Sequence, residues 1–159
     1  VEKYAYEDRF YGFVVDPVED GLPDEEVLAE LEAAGLPLIT YGGRGFPPAA
    51  IEETLLRYDF PLVISHCGGY PSEESMMADA IDLLGRYENC FVDMSFVRMR
   101  DPLERALMEH PSCVVFGSGA PDVHPNVAVM EILTLDVPED AMRKAFSKNA
   151  GRVFEALAP

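Results

Sequence analysis

His66 is the residue best placed to do chemistry. It closes the apolar run Leu62-Val63-Ile64-Ser65, and Cys67-Gly68-Gly69 follows it. A run of this kind reads as a buried strand, and the glycines allow a tight turn just beyond the histidine. Parallel α/β proteins keep their reacting groups at such carboxyl ends of strands. An imidazole held there can take or give a proton near neutral pH. The competing reading is a histidine that only completes the hydrogen bonding of a strand end.

Other polar residues recur at similar places. Arg44, within Tyr41-Gly42-Gly43-Arg44-Gly45, stands among glycines that let the backbone approach a ligand. A guanidinium there can clamp a carboxylate with two parallel hydrogen bonds, or pair with a surface acid. Asp93 lies within a strand-like run, where Ser95 can join it as a buried hydrogen-bonding pair. Cys67 neighbours His66, but adjacent strand residues face opposite ways, which opposes a Cys–His nucleophile pair. His110 ends a helical segment, where its charge suits the dipole. The seven methionines are scattered and mostly read as packing.

The elements that position these residues alternate. Strand-like runs cover 10–15, 38–41, 62–66, 91–94 and 114–116. Between them lie helical patterns over 23–34, 47–58 and 72–87, and a short helix with Asp101 as cap, Pro102 next and Glu104 completing a capping box. Two more helices begin near Pro138 and Asn149. The β-then-α order implies a parallel sheet with right-handed crossovers. Units of roughly 24–28 residues suit a barrel of β/α repeats. Five strands cannot close one, so the expected fold is a single α/β domain over 1–159, five β/α units of an eight-unit barrel with the first three absent. A small doubly wound open sheet is the alternative.

Composition narrows the function. With 48% hydrophobic residues the chain can fill a core, and no run is long enough for a membrane helix. The opening Val1-Glu2-Lys3-Tyr4 leads into no apolar signal region. Cys67, Cys90 and Cys113 have no metal-ligand spacing and read as reduced thiols of a cytoplasmic protein. Twelve basic residues stand against 29 acidic ones, a net charge of −17. That excludes the basic footprint of a nucleic-acid binder and disfavours anionic membrane surfaces. Only Lys3, Lys144 and Lys148 are lysines, and the acids are spread over helix faces. Such a surface suits a high-salt, halophilic cytoplasm, where screening relieves self-repulsion; an acidic protein of an ordinary cytoplasm is the alternative.

Five stretches, in order, resemble strands of the amidohydrolase superfamily, the metal-dependent hydrolases built on a TIM barrel. Gly12-Phe13-Val14-Val15-Asp16-Pro17 looks like the fourth barrel strand, and Gly35-Leu36-Pro37-Leu38-Ile39-Thr40-Tyr41 like the fifth. Pro61 to Gly69, with His66-Cys67-Gly68-Gly69, is similar to the sixth. Phe91-Val92-Asp93-Met94-Ser95 resembles the seventh and Phe116-Gly117-Ser118-Gly119-Ala120-Pro121 the eighth. Lys148-Asn149-Ala150-Gly151-Arg152-Val153-Phe154 is similar to the family's closing helix.

The resemblance implies attack of a metal-activated water on a small carboxylate or cyclic substrate, or decarboxylation in some branches. It also implies where this chain departs. The family's histidine on strand five is Tyr41 here, and its aspartate after strand eight is Gly119. His66 alone remains, and one imidazole does not hold zinc, which takes three or four protein ligands. No metal is therefore expected on these residues. His66, Asp122 and His124 become the catalytic candidates, the last two as base and orienter in place of the lost aspartate, or as caps of the next helix. Tyr41, Arg44 and Ser118 become the substrate-binding candidates, with Tyr41 alternatively filling the volume of the lost metal site. The expected partners are a small-molecule substrate and, for the open sheet edges, a second copy or a complementing N-terminal segment. A non-catalytic relative that binds a small ligand or serves as an assembly subunit is the second functional reading.

Overall fold

A computed structural model describes residues 10–154 of the chain. Five strands, β1 (Phe13–Val15), β2 (Leu38–Gly43), β3 (Leu62–Tyr70), β4 (Cys90–Asp93) and β5 (Val114–Val115), form one sheet. They pair in chain order and every pair is parallel. A doubly wound sheet reverses its strand order at a switch point. Sequential order is the winding of a barrel, and it removes the open-sheet alternative.

The helices alternate with the strands: α1 (Glu25–Ala34), α2 (Pro48–Thr54), α3 (Glu74–Leu84), α4 (Arg100–Glu109) and α5 (Pro125–Leu133). α6 (Glu139–Arg143) runs through a π-helical turn, Lys144–Lys148, into α7 (Asn149–Val153). Most begin close to where their sequence patterns start. α4 differs. It begins at Arg100, and its preceding residue Met99 supplies no side-chain cap. Asp101 lies inside the first turn instead of capping it. Glu104 reaches back to Arg100 at 2.6 Å and accepts from the Asp136 N–H, so the capping box does not form.

Side-chain alternation gives the sheet two distinct faces. Leu38, Leu62, Ile64, Cys90, Val92 and Val114 join Leu28, Leu31, Ile51, Leu55, Ile81, Leu103, Leu107 and Ile132 of the helices in the main core. Residues one step out of phase, Val63, Phe91 and Val115 with Ile39, form a second apolar layer against Ala150, Val153 and Phe154. Phe154 also approaches Gly12, just before β1, so this layer closes the amino ends of the strands. Asn149, 1% exposed, anchors the closing segment by donating to the Pro111 and Val114 carbonyls at 2.8 and 2.7 Å. The carboxyl ends stay open.

The cysteines fall as the apolar runs suggest, with Cys67 and Cys90 buried and Cys113 partly so. The methionines divide. Met77 and Met94 are core, whereas Met108 and Met130 are more than half exposed. No helix among the described residues is long and apolar enough to cross a membrane.

Candidate active site

The site begins with a break in β3. Up to Ser65 the strand keeps register with β2, Tyr41 opposite Ser65; the next pair is Gly43 with Tyr70. Four residues, His66 to Gly69, thus stand opposite Gly42 alone. His66, Cys67 and Gly68 carry φ of 59°, 50° and 72°. The left-handed region is costly for histidine and cysteine, and such strain gathers at functional sites. Its effect is to undo the alternation. Ser65 and His66 both line the cleft at the carboxyl end of the sheet, while Cys67 turns back into the core. Gly43 is needed on the opposite side, because a Cβ there would come within 2.3 Å of the Tyr70 carbonyl oxygen.

Asp93 holds this turn in place. Its Oδ1 accepts from the His66 N–H at 2.9 Å, the Ser95 N–H at 2.9 Å and the Ser95 hydroxyl at 2.5 Å. These contacts assign the imidazole tautomer. The single Ser95 hydroxyl hydrogen is committed to Asp93, so Ser95 Oγ faces His66 Nδ1, 2.9 Å away, as an acceptor. The Ser95 carbonyl, 3.1 Å from the same nitrogen, is only an acceptor. Nδ1 therefore carries a proton, and in the neutral imidazole Nε2 keeps the lone pair. That nitrogen has no hydrogen-bond partner among the described residues, although His66 is only 7% exposed.

Aromatic rings enclose the imidazole. Tyr41 stacks on it at 5.5 Å between centroids, Tyr70 lies at 5.1 Å, and Phe96 meets it edge-on at 5.2 Å. The surrounding cleft has a volume of about 820 Å³. It is bounded by the loops after each strand, with Asp16 and Glu19 after β1, Arg44 after β2 and Asp122 after β5.

The residues singled out in the sequence do not all converge. His66, Tyr41, Arg44 and Asp122 line the cleft. Arg44 is already engaged, donating through Nε to Glu73 Oε1 at 2.6 Å and pairing a second nitrogen with the same oxygen. His124 is not among the lining residues. It caps α5, its Nδ1 accepting from the Asn126 N–H at 3.2 Å, as a cap would. Ser118 also lies outside the lining, its hydroxyl accepting from the Ala120 N–H at 3.2 Å. Neither is carried into the site below. Sequence reasoning missed Tyr70, Phe96, Asp16 and Glu19. For the last two a signal existed: Asp16-Pro17-Val18-Glu19 follows a strand, and Asp16 makes the local turn by accepting from the Val18 and Glu19 N–H groups.

Strand order, two-faced sheet and a cleft at the carboxyl ends define a barrel-type α/β protein with part of its ring present. The chain belongs to the amidohydrolase family, whose sequence model matches residues 4–156. No curated protein sequence shows a significant match. The chain is similar in structure to an uncharacterized TIM-barrel protein from Bordetella bronchiseptica, with 22% identity and a TM-score of 0.71 over 90% of this chain and 53% of that one. It is similar to 5-carboxyvanillate decarboxylase from Sphingomonas paucimobilis, with 20% identity and a TM-score of 0.69 over 97% and 61%. A dihydroxybenzoic acid decarboxylase from a Polaromonas species, solved with manganese and 2-nitroresorcinol, matches at 14% identity and a TM-score of 0.58 over 82% and 53%. The chain thus spans between half and two thirds of the length of these proteins.

The manganese in that relative raises the question of fit. Among the described residues no three His, Cys, Asp or Glu side chains converge to hold an ion. The positive reason lies at Gly119. A Cβ built there would meet the Phe96 ring at 2.7 Å, and φ is 74°, so a carboxylate-bearing residue would be strained and would have to displace the ring. Tyr41 stands on β2 where the sequence resemblance puts the family's histidine. The described residues do not by themselves fit a divalent cation.

Proposed function

We propose that this chain carries the acid–base half of an amidohydrolase-type site, with His66 Nε2 as the proton acceptor and no metal held by its own residues. The observation that carries this reading is the unpartnered Nε2 lone pair, fixed by a protonated Nδ1 and facing a cleft. In hydrolysis, Nε2 takes a proton from water as the water oxygen adds to a carbonyl carbon, and returns it to the leaving atom. Ser95 and Asp93 hold the tautomer and the ring through both transfers. The volume and aromatic walls suit a small cyclic substrate.

Carboxylate recognition rests on Arg44 alone, and a substrate must displace Glu73 to use it. Hydrolysis also suits the site better than decarboxylation, since the substrate carboxylate that decarboxylation requires would have to bind among Asp16, Glu19, Asp93 and Asp122. The second reading, a binding subunit without turnover, is favoured by Tyr41 and Phe96, which fill the space around the imidazole. His66→Ala separates the two. An enzyme loses ~10²-fold or more in rate, whereas a binding protein changes only in affinity.

A further inference from the structure

We propose that the ligand of this cleft carries a protonated nitrogen, an organic ammonium borne on a small ring. This rests on the site just described but not on His66 acting in turnover.

The groups that face the cleft are overwhelmingly acceptors. With Nδ1 protonated, the neutral His66 imidazole presents its Nε2 lone pair to the cleft. His66 as a residue is 7% exposed, and Nε2, without a hydrogen-bond partner among the described residues, opens to the cleft, where a ligand's donor can reach it. Four carboxylates, Asp16, Glu19, Asp93 and Asp122, line the same walls. One guanidinium, Arg44, opposes them, and Glu73 already neutralises it. A carboxylate ligand entering here gains one contested partner and meets four like charges. An ammonium ligand meets the reverse.

The aromatic rings point the same way. Tyr41 and Tyr70 leave 41% and 52% of their surface exposed beside His66. Tyrosine faces attract cations, and more strongly where water is partly excluded. A ring bearing a methylammonium arm can lie along these tyrosines while its N–H groups reach Nε2 and the carboxylate rim. The carboxylates alone mark only an attractive field. The cleft-facing lone pair and the partly exposed tyrosine rings add to that field and favour a small donor cation.

The test uses two probes of one shape and opposite charge. Benzylammonium and benzoate are titrated at pH 7.5 into the ¹⁵N-labelled protein, with binding read from chemical-shift changes. The expected result is that benzylammonium binds ~10-fold or more tightly than benzoate. Its shifts should centre on His66, Tyr41, Tyr70 and Ser95. An Asp16→Asn/Asp122→Asn variant, checked for folding by its own spectrum, should lose most of the preference. Benzoate binding as tightly, no saturable binding of benzylammonium, or shifts scattered over the acidic surface would each overturn the proposal. Because binding is measured without turnover, the outcome is independent of the His66→Ala rate test. Either inference can fail while the other stands.

Discussion

The Phe96 ring occupies the space that a side chain at Gly119 would need. A Cβ at position 119 would lie 2.7 Å from one ring carbon and 2.9 Å from the next. Phe96 itself sits at φ 59°, an uncommon conformation for a large residue, and its edge packs on His66. Two left-handed residues on neighbouring loops thus meet over the imidazole. They convert what the sequence resemblance marks as a metal-ligand position into an aromatic wall.

Gly119→Asp should therefore destabilise the protein by about 2 kcal/mol or more, from the left-handed backbone and the collision together. Adding Phe96→Ala should recover part of that loss by opening space, although it removes packing of its own. Urea unfolding of the two variants measures both. Equal stability of Gly119→Asp and the native protein would show that the ring yields freely.

Asp93 has the opposite character, since one oxygen takes three donors. In Asp93→Ala the N–H groups of His66 and Ser95 lose their acceptor in a partly buried place. The expected cost is about 3 kcal/mol. Asp93→Asn keeps an acceptor oxygen and should cost less. Denaturant titration of the pair checks the ranking.

The thiols give a pH dependence with a definite sign. Burial pushes Cys67 and Cys90 up to about 12, with the nearby Asp93 adding to the effect on Cys67. An unfolded thiol titrates near ~8.5. These raised values contribute stability that is fully present below the unfolded value and is lost as pH rises toward about 12. Unfolding free energy should fall by up to about 2.7 kcal/mol per pH unit in that window, for two protons bound only by the folded state. Cys67→Ala/Cys90→Ala should flatten the slope. Cys113, raised less far and less buried, should be the first thiol modified by a disulfide reagent at pH 8.

Much of the framework was legible because its signals are local. Hydrophobic runs of three to six residues, spaced by helical stripes, marked all five strands, and His66 announced itself by standing between an apolar run and two glycines. Asp93 and Ser95 could be read as a buried pair from strand position alone. The walls of the site were not legible. Phe96 and Tyr70 are ordinary aromatic residues in sequence, and they reach His66 only because the irregular end of β3 and the loop after β4 meet at the same strand end. The candidates beyond β5 divided for a similar reason. Asp122 and His124 are two residues apart, but Asp122 lines the cleft while His124, the residue just before α5, is tied to a helix amide. The start of α4 was missed because Glu104 found Arg100 and the Asp136 amide, partners that a capping-box pattern cannot anticipate.

The central claim is that His66 presents an unprotonated Nε2 to the cleft, and ¹⁵N NMR of the imidazole tests it most directly. With histidine labelled and the His66 signals assigned by comparison with His66→Gln, the spectrum at pH 8 reports which ring nitrogen carries hydrogen. The expected result is a protonated Nδ1 and a bare Nε2, with the distinction blurred in Ser95→Gly by loss of the serine hydroxyl. A protonated Nε2 in the native protein would contradict the claim, because the cleft would then face a donor where the site requires an acceptor.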